Sequence, residues 1–169
     1  VISAIGIVLT LGTSLFAAGA WMVRRIDDRI DAVDEKLSTR IDAVAAKLKE
    51  RLAKTTVGDP RLENVRMGAL ASKSQQSDVA ERVATLRQGA EVVFGGDAGF
   101  APVGEGVAEG AFFQPTLLLA KDAQNHAAHD VEAFGPVSTL MAYQDLDDAL
   151  QLAARGKGMP VGAAGLCGL

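Results

Sequence analysis

The sequence has very little of what site chemistry usually draws on. Its 169 residues hold one cysteine, Cys167, one tryptophan, one tyrosine and two histidines. A lone thiol excludes an intrachain disulfide, and the composition fits a reducing compartment. His126 and His129 have the spacing of a metal pair, but with only a distant thiol besides they do not build a zinc site, and no metal is expected. Aromatic residues make up 5% of the chain and the net charge is −4. A basic surface interleaved with aromatic rings is therefore missing, and no nucleic-acid partner is expected. Gly95-Gly96-Asp97-Ala98-Gly99 has no lysine-serine pair after it, which excludes a phosphate loop of that kind.

Charge is also absent from the first 23 residues, VISAIGIVLTLGTSLFAAGAWMV. About 20 apolar residues suffice for a helix to cross a bilayer. Trp21 stands where an amphipathic ring suits the headgroup region, and Arg24 and Arg25 follow at once. The reading is a membrane span at 1–23, single-pass, with the C-terminal part cytoplasmic; the alternative is a cytoplasmic chain. A signal peptide cleaved after Ala18-Gly19-Ala20 competes, but the basic stretch expected before its apolar run is missing. A buried core helix is the other possibility, though no partner layer is evident.

Residues 24–54 reverse the composition. Arg29-Ile30-Asp31-Ala32-Val33 recurs as Arg40-Ile41-Asp42-Ala43-Val44, an offset of 11. Ile26, Ile30, Val33, Leu37, Ile41, Val44, Leu48 and Leu52 fall on one helical stripe. A period of 11 gives about 3.67 residues per turn, so a straight or slightly right-handed supercoil is predicted. One helix cannot bury such a stripe alone. Self-association through a coiled coil is expected, the alternative being packing on the chain's own globular part.

Gly58 and Pro60 end the helical pattern. Ser72 is a predicted cap for a helix with Val79, Val83 and Leu86 on its apolar face, closed by Gly89. Ala90–Phe94, Phe112–Leu119 and Val137–Tyr143 read as strands, with Pro115 placing the second at an edge or near its start. Asp145 caps a predicted helix to Ala154, with Leu146, Ala149, Leu150 and Ala153 on one face. The fold class is an α/β unit preceded by a long N-terminal helix. The expected organisation is a span at 1–23, a coiled coil at 24–54, an α/β part at 55–158 and a tail at 159–169.

Three stretches of that α/β part resemble a known family. Val57-Gly58-Asp59-Pro60 with Met67-Gly68-Ala69-Leu70 is similar to the "G-D-P … M-G-P-L" stretch of the aldehyde dehydrogenase superfamily. Gly110-Ala111-Phe112-Phe113-Gln114-Pro115-Thr116-Leu117 resembles its "G-x-F-x-x-P-T-L" strand. Glu132-Ala133-Phe134-Gly135-Pro136-Val137 resembles its "E-x-F-G-P-V" motif. The likeness runs from about Lys49 to Gly158. Its flavour at Val65–Ser72 is closest to the dehydrogenase half of the bifunctional ring-opening enzyme of phenylacetate degradation.

The resemblance implies an oxidoreductase acting on aldehydes with NAD or NADP. It implies that Glu132 holds a cofactor ribose and that Phe134 walls the nicotinamide end. A carboxylate only accepts hydrogen bonds, and its two oxygens can take both hydroxyls of a vicinal diol. Read without the family, Glu132 is a turn residue and Phe134 ordinary core. In the family a cysteine nucleophile, a glutamate base and a dinucleotide turn lie N-terminal to the matched region. Here the apolar run and the repeat stand in that place, and Cys167 has the wrong order and context. No catalytic residue is assigned, and the chain alone is expected to be inactive and not to bind the cofactor. A fusion, a frame-shift or a truncated reading frame would explain both abrupt edges.

Overall fold

The structure is a computed structural model that describes residues 2–96 and 100–156, with only the backbone for residues 2–20 and for Asp34. The expected tail at 159–169, with Cys167, lies outside the described residues. The chain divides into two compact units, residues 1–40 and 41–169.

Helix α1 runs from Ile2 to Ala53 and crosses that boundary. No proline interrupts it, and its second half is rich in alanine, leucine, lysine and glutamate, the strong helix formers. Among the described residues no helix is long and apolar enough to cross a membrane. The span expected at 1–23 falls, up to residue 20, on side chains outside the description.

The repeat stripe behaves differently in the two units. In the first, Ile26, Ile30 and Val33 are exposed. In the second, Ile41, Val44, Leu48 and Leu52 are half-buried and Ala45 is buried. The last turns of α1 therefore pack on the chain's own globular part, the alternative left open by the sequence. Leu52 and Ala53 join Val57, Phe94, Phe100, Val103 and Pro115 around a recess of about 200 Å³.

Helix α2 spans Lys73–Leu86, and Ser72 caps it by accepting from the Gln75 amide. Val79, Val83 and Leu86 are its buried face. Strand β1, Ala90–Phe94, follows after Gly89, whose amide bonds back to the Leu86 carbonyl. A short 3₁₀ turn at Val107–Glu109 precedes strand β2, Thr116–Ala120. Helix α3, His126–Asp130, links β2 to strand β3, Val137–Leu140, and helix α4, Leu146–Arg155, follows.

The sheet order is β1-β2-β3, with β1 antiparallel and β3 parallel to β2. A parallel neighbour requires a crossover, and α3 lies within it. The register of β1 on β2 shifts between Val92 and Phe94, leaving Val93 as the extra residue of a bulge. Thr116, Leu117 and Leu118 are buried in succession, as suits a central strand covered on both faces. Leu118 packs with Leu86 and Ala90 in the core, flanked by Val92, Val131 and Val137. Full burial of one such leucine is worth about 1.5–3 kcal/mol.

Several expectations are corrected. β2 begins at Thr116 rather than Phe112. Pro115 offers no N–H, and the Phe112 carbonyl accepts from the Gln76 side chain instead of a neighbouring strand. β3 ends at Leu140, short of Tyr143. In α4, Leu146 and Leu150 are exposed, while Leu152 is buried and Ala149 and Ala153 are half-buried. The inward face is thus 148–149–152–153, one notch round from the expected one. α3 was not expected at all: its five residues are too few for a periodicity, although Asn125 caps it through its side-chain oxygen and the Ala127 amide.

Candidate functional site

Three short motifs far apart in sequence are stitched to one another by backbone hydrogen bonds. In the first, the Gly58 amide donates to the Met67 carbonyl, and the Asp59 amide to the Val103 carbonyl at 2.8 Å. Gly58 is required by this close approach, since a Cβ there would stand 2.1 Å from the Val103 carbonyl oxygen. Asp59 turns back on Arg61, receiving its Nε and Nη2 at 2.6–3.0 Å. The Arg61 hydrogen bonds hold the Asp59 carboxyl down from its ordinary 3.8 to about 2. Arg61 is raised in turn by the same contact.

The first motif reaches the second where the Leu70 amide donates to the Ala111 carbonyl. The second reaches the third where the Thr116 amide donates to the Pro136 carbonyl at 2.8 Å, at the start of the β2–β3 pairing. The third motif is a tight double bend. The Gly135 amide donates to the Ala133 carbonyl, and the Val137 amide to the Gly135 carbonyl. Gly135 has no room for a side chain, because a Cβ would lie 2.7 Å from one Val79 methyl and 3.0 Å from the other.

Both candidate residues sit on this bend, two positions apart. Phe134 is 66% exposed, which corrects the reading of it as ordinary core. Glu132 is half-buried, and among the described residues none donates a hydrogen bond to its carboxylate. Neither lines the recess beside Leu52 and Pro115. An exposed ring with a pinned backbone, next to an open carboxylate, offers a flat apolar surface and an acceptor pair. That acceptor pair beside an apolar face fits a ligand with an aromatic face and a vicinal diol.

The residue that pins the bend is Gln75, and sequence reasoning missed it. Its Nε2 donates to the Phe134 carbonyl at 2.7 Å, while its Oε1 accepts from the Ala71 amide. Its own amide donates to the Ser72 hydroxyl. The signal was present as Ser72-Lys73-Ser74-Gln75, the S-x-x-Q spacing of a capping box.

The two histidines diverge. His129 is buried, its Nε2 2.6 Å from the Ala123 carbonyl. The His126 side chain is open to solvent, 3.9 Å from the Asp130 carboxylate. Among the described residues no three metal-ligating side chains gather.

The chain is similar to known proteins over its C-terminal part. A protein of Aromatoleum evansii named 3,4-dehydroadipyl-CoA semialdehyde dehydrogenase is 51% identical over 109 residues, 64% of this chain and 21% of that protein. A protein MaoC of Klebsiella aerogenes is 46% identical over 98 residues, 57% of this chain and 28% of that protein. The chain thus spans about a fifth to a quarter of these relatives. Among solved structures, a Mycobacterium tuberculosis aldehyde dehydrogenase complexed with NAD+ superposes with a TM-score of 0.57 at 29% identity, covering 68% of this chain and 23% of that one. Aldehyde dehydrogenase C of Pseudomonas syringae, with NAD+ and octanal, gives 0.57 at 28%, covering 69% and 23%. A model of the aldehyde dehydrogenase family matches residues 36–157, beginning inside the eleven-residue repeat, further up the chain than the three motifs. With that match across more than half its length, the chain belongs to the aldehyde dehydrogenase family.

Proposed function

We propose that this chain carries the cofactor-gripping corner of an NAD(P)-dependent enzyme that oxidises aldehydes. The observation that carries the reading is the closed circuit of motifs. Leu70 bonds to Ala111, Thr116 to Pro136, and Gln75 to Phe134, so the bend bearing Glu132 and Phe134 is held from two sides, by Thr116 and by Gln75. The cofactor, when bound, supplies the hydride-accepting ring. Glu132 would accept both hydroxyls of a ribose, and Phe134 would offer its ring beside the nicotinamide. Gly135 and Pro136 would fix the turn that presents both.

On this reading the chain contributes binding and orientation rather than the covalent step. The sole thiol, Cys167, follows the corner in sequence, the reverse of the family's order, and the chain alone is inactive. The 51% identity to a CoA-semialdehyde dehydrogenase supports a substrate whose aldehyde ends a CoA-linked chain; the resemblance at Val65–Ser72 supports one of the kind met in phenylacetate degradation. Residues 1–23 would anchor the chain in a membrane, with the corner on the cytoplasmic side. The apolar run and the Arg25 guanidinium 5.1 Å from the Trp21 ring support that placement, a pair suited to the headgroup layer.

Calorimetric titration of the full chain with NAD+ and NADP+ tests the reading. Against the expectation from the sequence that the chain alone does not bind the cofactor, weak binding of one of them follows from this reading, because Gln75 and Thr116 already hold the bend in shape. Glu132→Gln loses charge-assisted hydrogen bonds worth about 1.5–3 kcal/mol, so affinity should fall roughly 10- to 150-fold. Equal affinity in the variant, or no binding by a folded chain, overturns it.

A further inference from the structure

The apolar stripe of α1 differs in cover along its length: Ile41, Val44 and Leu48 are half-buried, whereas Ile26, Ile30 and Val33 are open. Val23, Ile26, Ile30, Val33 and Leu37 are spaced 3, 4, 3 and 4 residues apart, which is the a and d pattern of two heptads. Val23, Ile26, Ile30 and Val33 are 52–62% exposed. Trp21 and Arg25 stack on each other at positions f and c, on the opposite side of the helix, so their contact leaves the seam clear.

The charges beside the seam decide which occupant fits. With Ile30 at a and Val33 at d, Asp27 and Asp34 take the e positions, and Arg29 and Lys36 the g positions. In a parallel, in-register pairing, a g residue meets the e residue five places on in the other helix. Arg29 of one copy then meets Asp34 of another. In an antiparallel pairing centred on the same seam, g meets g and e meets e. Arg29 would face Lys36, and Asp27 would face Asp34, both like-charge pairs. A foreign helix would need this pattern in complement, whereas a second copy already carries it.

We propose that residues 23–37 form a parallel, in-register seam between copies of this chain, with Val23, Ile26, Ile30 and Val33 in contact and Arg29 of one copy paired with Asp34 of another. This interface is independent of the cofactor corner and does not rest on its assignment. Branched side chains at both a and d pack better in three or four strands than in two. A parallel bundle also gathers the apolar runs at 1–23 of all copies at one end.

The test measures the molar mass of the full chain in detergent micelles by sedimentation, with far-UV helicity and the unfolding transition as controls on folding. The native chain should sediment as three or four copies. Arg29→Glu sets a second carboxylate against Asp34 and should raise the dissociation constant by roughly tenfold, since exposed pairs turn from attraction to repulsion in each copy. The double variant Arg29→Glu with Asp34→Arg should restore association, and Ile30→Asp should abolish it with the C-terminal unit still folded. Tighter association of Arg29→Glu indicates the antiparallel arrangement and overturns the proposal. So does a single-chain mass for the native protein, or association that survives Ile30→Asp.

Discussion

Gly135→Ala should loosen the sheet and the candidate site together, and Val79 should be the reason. The added Cβ would stand 2.7 Å and 3.0 Å from the two Val79 methyls. Val79 is 1% exposed on α2 and has nowhere to move. Overpacking of this kind costs about 1–3 kcal/mol, because neighbours must shift or leave their rotamers. The Gly135 amide and carbonyl each hold one bond of the double bend, so the displacement reaches Phe134 directly. Amide hydrogen exchange at Leu117 and Leu118 reads the sheet without interference from α1. Protection there should fall roughly 5- to 150-fold, the equivalent of 1–3 kcal/mol. Val79→Ala alone also destabilises by leaving a void. Combined with Gly135→Ala it should cost less than the sum of the two, with a coupling of about 0.5–3 kcal/mol. Additive effects, or unchanged protection in Gly135→Ala, would refute the steric argument.

Leu118→Ala removes the fully buried side chain at the centre of β2 and should cost about 2–5 kcal/mol, enough to abolish a cooperative calorimetric transition of the C-terminal unit. Gln75→Ala releases the Phe134 carbonyl and the Ala71 amide. It should cost about 1–2 kcal/mol and speed exchange at Gly135 and Val137 more than at β1. Asp59 titrates lower in the fold than its ordinary 3.8, at about 2, because of its hydrogen bonds from Arg61. Its contribution to stability is therefore complete above pH 3.8 and is lost as the pH falls through about 2. Asp59→Asn should remove that segment of an acid unfolding curve; an unchanged slope below pH 4 contradicts the assignment.

The parts of this molecule that were legible in the sequence are those decided locally. Ser72 and Asp145 are caps because a short polar side chain reaches an amide three residues on, and both do so. β1 ends at Phe94 because Gly95 and Gly96 take positive φ. What was not legible depends on partners distant in sequence. The exposed flank of α4 follows from which side meets the rest of the fold, and its composition allowed either. The stripe of α1 reads as continuous, yet the fold covers Ile41 onward and leaves Ile26, Ile30 and Val33 open. Glu132 and Phe134 were found through a motif, whereas the side-chain amide that holds the Phe134 carbonyl belongs to Gln75, 59 residues away.

Hydrogen exchange of the full chain with and without saturating NAD+ tests the central claim most directly. Exchange should slow at residues 132–137, with a smaller effect at Thr116 and Leu117 and none at 21–33. Protection that is unchanged at the bend, or that appears only around the recess lined by Leu52, Phe94 and Phe100, would contradict it.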